Sequence, residues 1–189
     1  MPALILAVLA AAMAAIVPIY FARLKPGYSH MRHTISELGE TGSPVGWAVS
    51  LYGFLPTGLL VWAFCFFAAG AAPQVSREIF FMLSLVGAGY VGGAIFRCDK
   101  DGPLSGSWST LLHNIFGAFE YIGAAGAFFA LERDVGSPLS SVFKVAGFIV
   151  FASFFGVTFP HPFRGLSQRI AETIIFGGMV VMAWWIYRA

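Results

Sequence analysis

The stretch PALILAVLAAAMAAIVPIYFARL, residues 2–24, carries no charged side chain before Arg23. A helix needs about 20 apolar residues to cross the hydrocarbon core of a bilayer, so this stretch is long enough to span a membrane. Secretion signals begin with Lys or Arg, and neither residue precedes this stretch. We therefore expect a retained transmembrane span rather than a cleaved signal.

Five further apolar stretches follow, separated by polar segments. The six predicted spans are Pro2 to Leu24, Val45 to Ala69, Ile79 to Phe96, Ser109 to Leu131, Val142 to Phe159, and Ile170 to Tyr187. Each is expected to be a helix, because lipid offers no partner for an exposed backbone amide. Short connections make consecutive helices antiparallel neighbours. The sequence therefore predicts an all-α polytopic membrane protein, a compact bundle of six transmembrane helices that forms a single domain over residues 1–189.

The composition agrees with lipid as the main solvent. Hydrophobic residues make up 58% of the chain and charged residues 11%, against about 25% charged in a soluble domain. The net charge of +2 is too small to indicate a nucleic-acid partner. We expect a multi-pass protein of the bacterial inner (cytoplasmic) membrane. Its expected partners are membrane lipids, a lipid-like substrate, and further copies of itself or a larger membrane complex.

Six spans give the chain two unequal faces. The termini and the loops near residues 73–78 and 132–141 share one face, here called the terminal face. The loops at 25–44, 97–108 and 160–169 share the other, here called the polar face. The polar face carries seven of the eleven Lys and Arg residues, which would place it in the cytoplasm. It also carries all four histidines, His30, His33, His113 and His161. This one-sided set of histidines is the main functional signal in the sequence.

The first segment with candidate chemistry covers residues 28–39. If it is helical, His33 and Glu37 share a face at the spacing i, i+4. An imidazole and a carboxylate at that spacing can hold one divalent cation. The alternative is an interfacial helix that Ser36 or Glu37 caps and Gly39 ends, with the histidines among lipid head groups.

The second segment leads from a polar turn at Asp99 into the fourth span. His113 lies inside that span, and Glu120 lies two turns deeper on the same face, about 16 Å along the helix from a start near Ser109. Ionisable residues within a span are costly and normally face the bundle interior. Glu120 is thus a candidate proton relay, ligand contact or carboxylate that orients His113. The alternative is a neutral Glu120 bonded to Tyr90, Tyr121 or a backbone carbonyl, which would hold helices together.

The third segment surrounds His161. Pro160 and Pro162 fix the backbone on either side and so help to aim the imidazole. Arg164 and Arg169 follow, either as interfacial anchors or as partners of a lipid phosphate.

Several motifs in these segments resemble a known family. They are His33-Thr34-Ile35-Ser36-Glu37-Leu38-Gly39, Phe96-Arg97-Cys98-Asp99, Ser109 with His113, and Gly165-Leu166-Ser167-Gln168-Arg169-Ile170. Their order between the spans resembles the bacterial polytopic family catalogued as domain of unknown function 998. The resemblance covers nearly the whole chain and implies six helices, but that family has no established activity to carry over.

A fainter similarity is to a superfamily of membrane hydrolases that includes the alkaline ceramidases and the adiponectin receptors. Those proteins combine Ser, Asp and three His around zinc at one membrane face. The similarity implies such roles for Ser109, Asp99 and three of the histidines. The chain differs in one respect: that group has a paired His-x-x-x-His late in the sequence, whereas His161 stands alone before Pro162.

The leading hypothesis is a zinc-dependent hydrolase that acts on a lipid-like amide or ester. The predicted metal ligands are His33, His113 and His161. The predicted catalytic residues are Glu37, Asp99, Ser109 and Glu120. Zinc would lower the pKa of a bound water toward 7. Asp99 or Glu37 would be the general base, and Ser109 would orient the water or the substrate carbonyl.

Two other classes of function stay open. One is a non-enzymatic lipid- or pigment-binding accessory subunit of a membrane complex. The other is a small proton-coupled transporter built around Glu120. Many transporters contain an inverted internal repeat, and this sequence contains no convincing one, which counts against the transporter.

Overall fold

The computed structural model describes residues 1–188, and its regular structure is entirely helical over that range. The helices are α1 (Pro2–Ala22), α2 (Ile35–Leu38), α3 (Gly46–Ala71), α4 (Arg77–Ile95), α5 (Trp108–Asp134), α6 (Leu139–Thr158) and α7 (Arg164–Arg188). Helix α3 contains a π-helical turn at Ser50–Phe54. Within residues 1–188, six helices, all except α2, are long and apolar enough to cross a membrane. The predicted all-α fold with six membrane-spanning helices is confirmed.

The six long helices form a closed ring. Each packs against its neighbours in the chain, and α7 also packs against α1. The half of the ring near the terminal face is filled by apolar side chains. They include Ile79, Leu83, Phe128, Leu131, Phe143, Met179 and Met182, all fully buried. The terminal half of the bundle is therefore a solid core.

Hydrogen bonds tie the loops together on each face, in agreement with the alternation expected of six spans. On the terminal face, the Ser76 amide donates to Asp134 Oδ2 at 2.8 Å. On the polar face, the Thr41 amide donates to the Cys98 carbonyl at 2.8 Å, and the Leu166 amide donates to the Met31 carbonyl at 3.1 Å. The three polar-face loops therefore form one connected layer over the end of the ring.

The last helix begins earlier than the sequence predicts. It starts at Arg164, not Ile170, so the motif at 165–170 is helical rather than part of a loop. The two arginines at this end have backbone partners: Arg164 Nε donates to the Val157 carbonyl and Arg169 Nη1 to the His33 carbonyl. Because these bonds satisfy the two arginine side chains, the polar residues 164–169 can be helical, and α7 extends further toward the polar face. As a result, Glu172 lies two turns inside α7.

Candidate functional site

The first candidate segment is only briefly helical. Thr34 caps the N-terminus of α2: its hydroxyl accepts from the Glu37 amide at 3.3 Å, and Glu37 Oε1 accepts from the Thr34 amide at 3.0 Å. This reciprocal pair is a capping box, and Gly39 ends the helix as expected. His33 precedes the cap, where its Nδ1 accepts from the Ser29 amide at 2.8 Å. The expected i, i+4 pair of His33 and Glu37 on one helix face is therefore absent from this segment.

The three histidines predicted to bind zinc lie on separate elements, and the structure does not bring them together. His161 uses both ring nitrogens on the backbone: Nδ1 accepts from the Phe163 amide at 3.1 Å, and Nε2 bonds to the Gly156 carbonyl. This arrangement leaves His161 no lone pair for a metal. His113 Nδ1 bonds to the Phe96 carbonyl at 2.8 Å, which leaves Nε2 as its acceptor. Zinc binding by this set stays a prediction.

An acidic cluster lies at the polar face. Among residues 1–188, Glu37, Glu40 and Asp101 are the one group of three potential metal ligands whose ligand atoms lie within 4.8 Å of one another. The carboxylates of Glu37 and Glu40 already have partners within the chain. Glu40 Oε1 forms a largely buried ion pair with Lys25 at 2.7 Å, and Glu40 Oε2 accepts from the Asp101 amide at 2.8 Å. The cluster thus serves to join the loops at 25–44 and 97–108.

Asp99 and Ser109 also hold the polar-face loops. Asp99 Oδ2 accepts from the Ser107 amide at 2.8 Å, and this bond, with others from the Thr110 and Ser107 side chains, lowers the pKa of Asp99. Ser109 Oγ donates to the Arg97 carbonyl at 2.7 Å. In the same loop, burial raises the pKa of the Cys98 thiol to about 12, so that thiol stays protonated. These groups fix the entry into α5.

A cavity of about 220 Å³ lies inside the polar half of the ring. Helices α4, α5, α6 and α7 form its walls, while α2 and the loop before α5 close its outer end. Its polar lining residues include Tyr90, His113, Asn114, Glu120, Tyr121, Arg164, Gln168 and Glu172. Of the seven predicted site residues, His113 and Glu120 share this cavity. Glu37, Asp99, Ser109, His33 and His161 do not line it.

Two glutamates meet at the inner end of the cavity. The carboxyl groups of Glu120 and Glu172 lie close enough to interact with each other, and the Tyr90 hydroxyl donates to Glu172 Oε2 at 2.6 Å. Two adjacent carboxylates have no proton to donate and repel each other in a medium of low dielectric constant, so at least one of the two groups is expected to be protonated. Glu120 lies about 18 Å along α5 from Trp108, deep within the membrane-spanning part of the helix.

Two polar atoms at this end of the cavity are unpartnered. Within the described chain, Glu120 Oε1 has no hydrogen-bond partner, and neither does the hydroxyl of Tyr121, although that hydroxyl lies near Gln168. Glu120 is 7% exposed and Tyr121 4% exposed. A buried polar group without a partner costs about 1–3 kcal/mol, so such groups normally bind something. Both residues line the cavity, which makes it the candidate site.

The outer end of the cavity is held by bonds between separate segments. Arg164 Nη2 donates to the Gly102 carbonyl at 3.1 Å, which ties α7 to the loop that lines the cavity. Gln168 Oε1 accepts from the Ile35 amide at 2.6 Å, which ties α2 to α7. Because Gly102 and Glu120 line the same cavity, it extends from the polar face to the middle of the bundle.

Sequence reasoning did not select Glu172 or Gln168 as site residues. The predicted span began at Ile170, which placed both residues at the interface, where ionisable side chains are common. The structure shows Gln168 one turn and Glu172 two turns inside α7. The available signal was Glu172, a second ionisable residue within a span. It is as informative as Glu120 once the helix boundary is known.

No curated protein and no solved structure matches the chain. The similarity to the membrane hydrolase superfamily therefore stays a prediction. The family described as "Protein of unknown function (DUF998)" matches residues 8–185, nearly the full length. The chain thus belongs to the DUF998 family of proteins of unknown function.

Proposed function

We propose that this chain is a ligand-binding membrane protein that takes a small amine-bearing molecule into the cavity around Glu120. The observation that carries the proposal is the unpartnered Glu120 Oε1, buried in a cavity that also contains an unpartnered Tyr121 hydroxyl. Both oxygens can accept a hydrogen bond, so a ligand group that donates would satisfy both.

Charge favours an ammonium group over a neutral donor. Glu120 and Glu172 together carry one negative charge when they share one proton, and burial makes that charge costly unless a second proton or a nearby cation neutralises it. Arg164 is the arginine that lines the cavity, and its guanidinium donates to backbone carbonyls at the outer end. A protonated amine at the inner end would supply the missing cation and donate up to three hydrogen bonds.

The proposal corresponds to the non-enzymatic binding class that the sequence left open. A hydrolase would need its base and its water-orienting hydroxyl beside the cavity. Asp99 and Ser109 are bonded to other groups outside the cavity, so they lend no support to hydrolysis. We place the protein in the bacterial cytoplasmic membrane as part of the proposal, because outer-membrane proteins span as β-barrels rather than helices.

The test is a binding titration of purified protein in lipid nanodiscs with n-butylamine, followed by ligand-observed NMR. Butanol and butyrate serve as neutral and anionic analogues of the same size. We expect butylamine to bind most tightly, butanol more weakly, and butyrate not at all. Equal binding of butyrate and butylamine would refute the proposal.

The key variant is Glu120→Gln, which keeps the side-chain size but removes the charge. A hydrogen bond to a charged group contributes about 1.5–3 kcal/mol, so the affinity for butylamine should fall about 10- to 100-fold. The matched control is Glu78→Gln on the terminal face, where Glu78 forms an exposed ion pair with Arg133. Glu78→Gln should bind like the wild type, and unchanged binding in Glu120→Gln would overturn the assignment.

A further inference from the structure

A second cavity of about 430 Å³ lies between α1 and α7, where the first and last spans close the ring. Three of the five α1 residues that line it are small, namely Ala11, Ala14 and Ala15. Phe176 and Gly177 line it from α7. Because Ala15 and Gly177 are also exposed on the outer surface of the bundle, the cavity faces the lipid.

The two cavities adjoin each other. Ile35 and Glu172 belong to the walls of both. Glu172 also lies beside Glu120 in the first cavity, so the proposed head-group site and the second cavity meet at one side chain. The first cavity alone is smaller than the roughly 300–1,000 Å³ typical of ligand pockets, whereas the second cavity, alone or joined to the first, lies within that range.

We propose that the two cavities form one site for a single-chain alkyl amine. This inference rests on the proposed function, since the ammonium head would bind at Glu120 and Tyr121. The chain would pass between Glu172 and Ile35 and lie in the second cavity, against the small side chains of α1. The ligand is thus a long-chain primary amine that enters sideways from the bilayer, and short water-soluble amines would fill the first cavity alone.

The lining of the second cavity fits a hydrocarbon chain. Ala14, Pro18 and Phe176 present carbon atoms to it and lie close to the ring seam. Arg169 is a charged residue in this wall, but its guanidinium donates to the Tyr28 hydroxyl, to backbone carbonyls and to His30. Because the Arg169 guanidinium already has these partners, it does not need the ligand. An alkyl chain in the cavity would make dispersion contacts with this wall on one side and with lipid on the other.

Two glycines allow each cavity to be filled separately. A Cβ added at Gly177 has no neighbour within 4 Å in the described structure, and the same holds at Gly117, which lines the first cavity. Gly177→Leu therefore fills the second cavity without a clash at Cβ, and Gly117→Leu fills the first. Ala15→Leu is a second way to fill the cavity between α1 and α7.

The experiment titrates n-butylamine and n-dodecylamine into wild type and the leucine variants in nanodiscs of one lipid composition. Partition into lipid is then the same for every protein and cancels from the comparison. Steric overlap of this kind costs enough to weaken binding about tenfold or more. We expect Gly177→Leu and Ala15→Leu to weaken the binding of dodecylamine by this factor and to leave the binding of butylamine unchanged. Gly117→Leu should weaken both amines.

The outcomes separate the two proposals. Dodecylamine affinity that is unchanged in both Gly177→Leu and Ala15→Leu would overturn the chain site and leave the amine head-group site standing. Binding of neither amine to the wild type would overturn the head-group site and the chain site together. If Gly177→Leu and Ala15→Leu lose binding of dodecylamine but keep binding of butylamine, both proposals are supported.

Discussion

The close approach of α4 and α5 at Gly89 sets the position of Glu120, and replacing this glycine tests the packing directly. A Cβ at residue 89 would lie 2.6 Å from Glu120 Cβ and 2.9 Å from the Phe116 carbonyl oxygen. Neither atom can move by a simple rotation, because one is a Cβ and the other belongs to the backbone. Gly89→Ala therefore forces the two helices apart and displaces the carboxyl group that the proposed ligand contacts.

The matched control is Gly93→Ala, one turn further along α4. Its Cβ would lie 3.6 Å from His113 Cε1, which is ordinary van der Waals contact. Both variants gain the same helix propensity of about 1 kcal/mol, so their difference isolates the steric cost. Overpacking costs about 1–3 kcal/mol. If the steric cost is about 2 kcal/mol, the unfolding midpoint of Gly89→Ala should lie about 4–8 °C below that of Gly93→Ala.

The assay is thermal unfolding of both variants in the same detergent, followed by the fluorescence of the five tryptophans. Equal midpoints for the two variants would refute the close contact between Gly89 and Glu120. A midpoint of Gly89→Ala above that of Gly93→Ala would refute it more strongly, since helix propensity alone cannot separate the two.

Three further predictions follow from the polar face. Thr34→Ala removes the N-cap of α2, which should cost about 1 kcal/mol and lower the unfolding midpoint by about 2–4 °C, measured in the same thermal assay. Burial and the neighbouring Arg169 lower the pKa of His30, so its neutral form stabilises the fold above about pH 6.5 and that contribution is lost as the pH falls through the folded-state pKa. The midpoint of His30→Gln should accordingly fall less than that of the wild type between about pH 6.5 and 5, and parallel curves would contradict this. Elemental analysis of protein purified without chelator or histidine tag should find no zinc that depends on His113, because the three predicted histidine ligands lie apart; near-stoichiometric zinc that falls in His113→Ala would restore the metal site.

The spans could be predicted because hydropathy is a local property. A run of about 20 apolar residues must cross lipid as a helix whatever surrounds it. Boundaries depend instead on tertiary bonds. The start of α7 was predicted six residues late because Arg164 and Arg169 look interfacial in the sequence, whereas their partners are carbonyls on other segments. No local pattern reports such partners.

The candidate site was only partly predictable for the same reason. His113 and Glu120 stand seven residues apart on one helix, so periodicity alone places them on one face of α5 and both line the cavity. His33 and His161 share a membrane face with them, but a shared face does not specify contact within a few ångströms. The pairing of Glu120 with Glu172 depends on how α5 and α7 pack, which one sequence does not specify.

The position of the cavity within the ring favours binding over transport. Glu120 and Glu172 face the polar half, while the terminal half is closed by fully buried side chains such as Phe128, Phe143 and Met179. The Phe128 ring packs directly against Gly178, which brings α5 and α7 into close contact in this half of the ring. A ligand or proton that reaches the glutamates from the polar face or the lipid therefore meets a packed core before the opposite face. Crossing it would require several helices to separate, at the cost of the contacts that close the ring. The geometry thus favours a site that holds its ligand and releases it on the side from which it came.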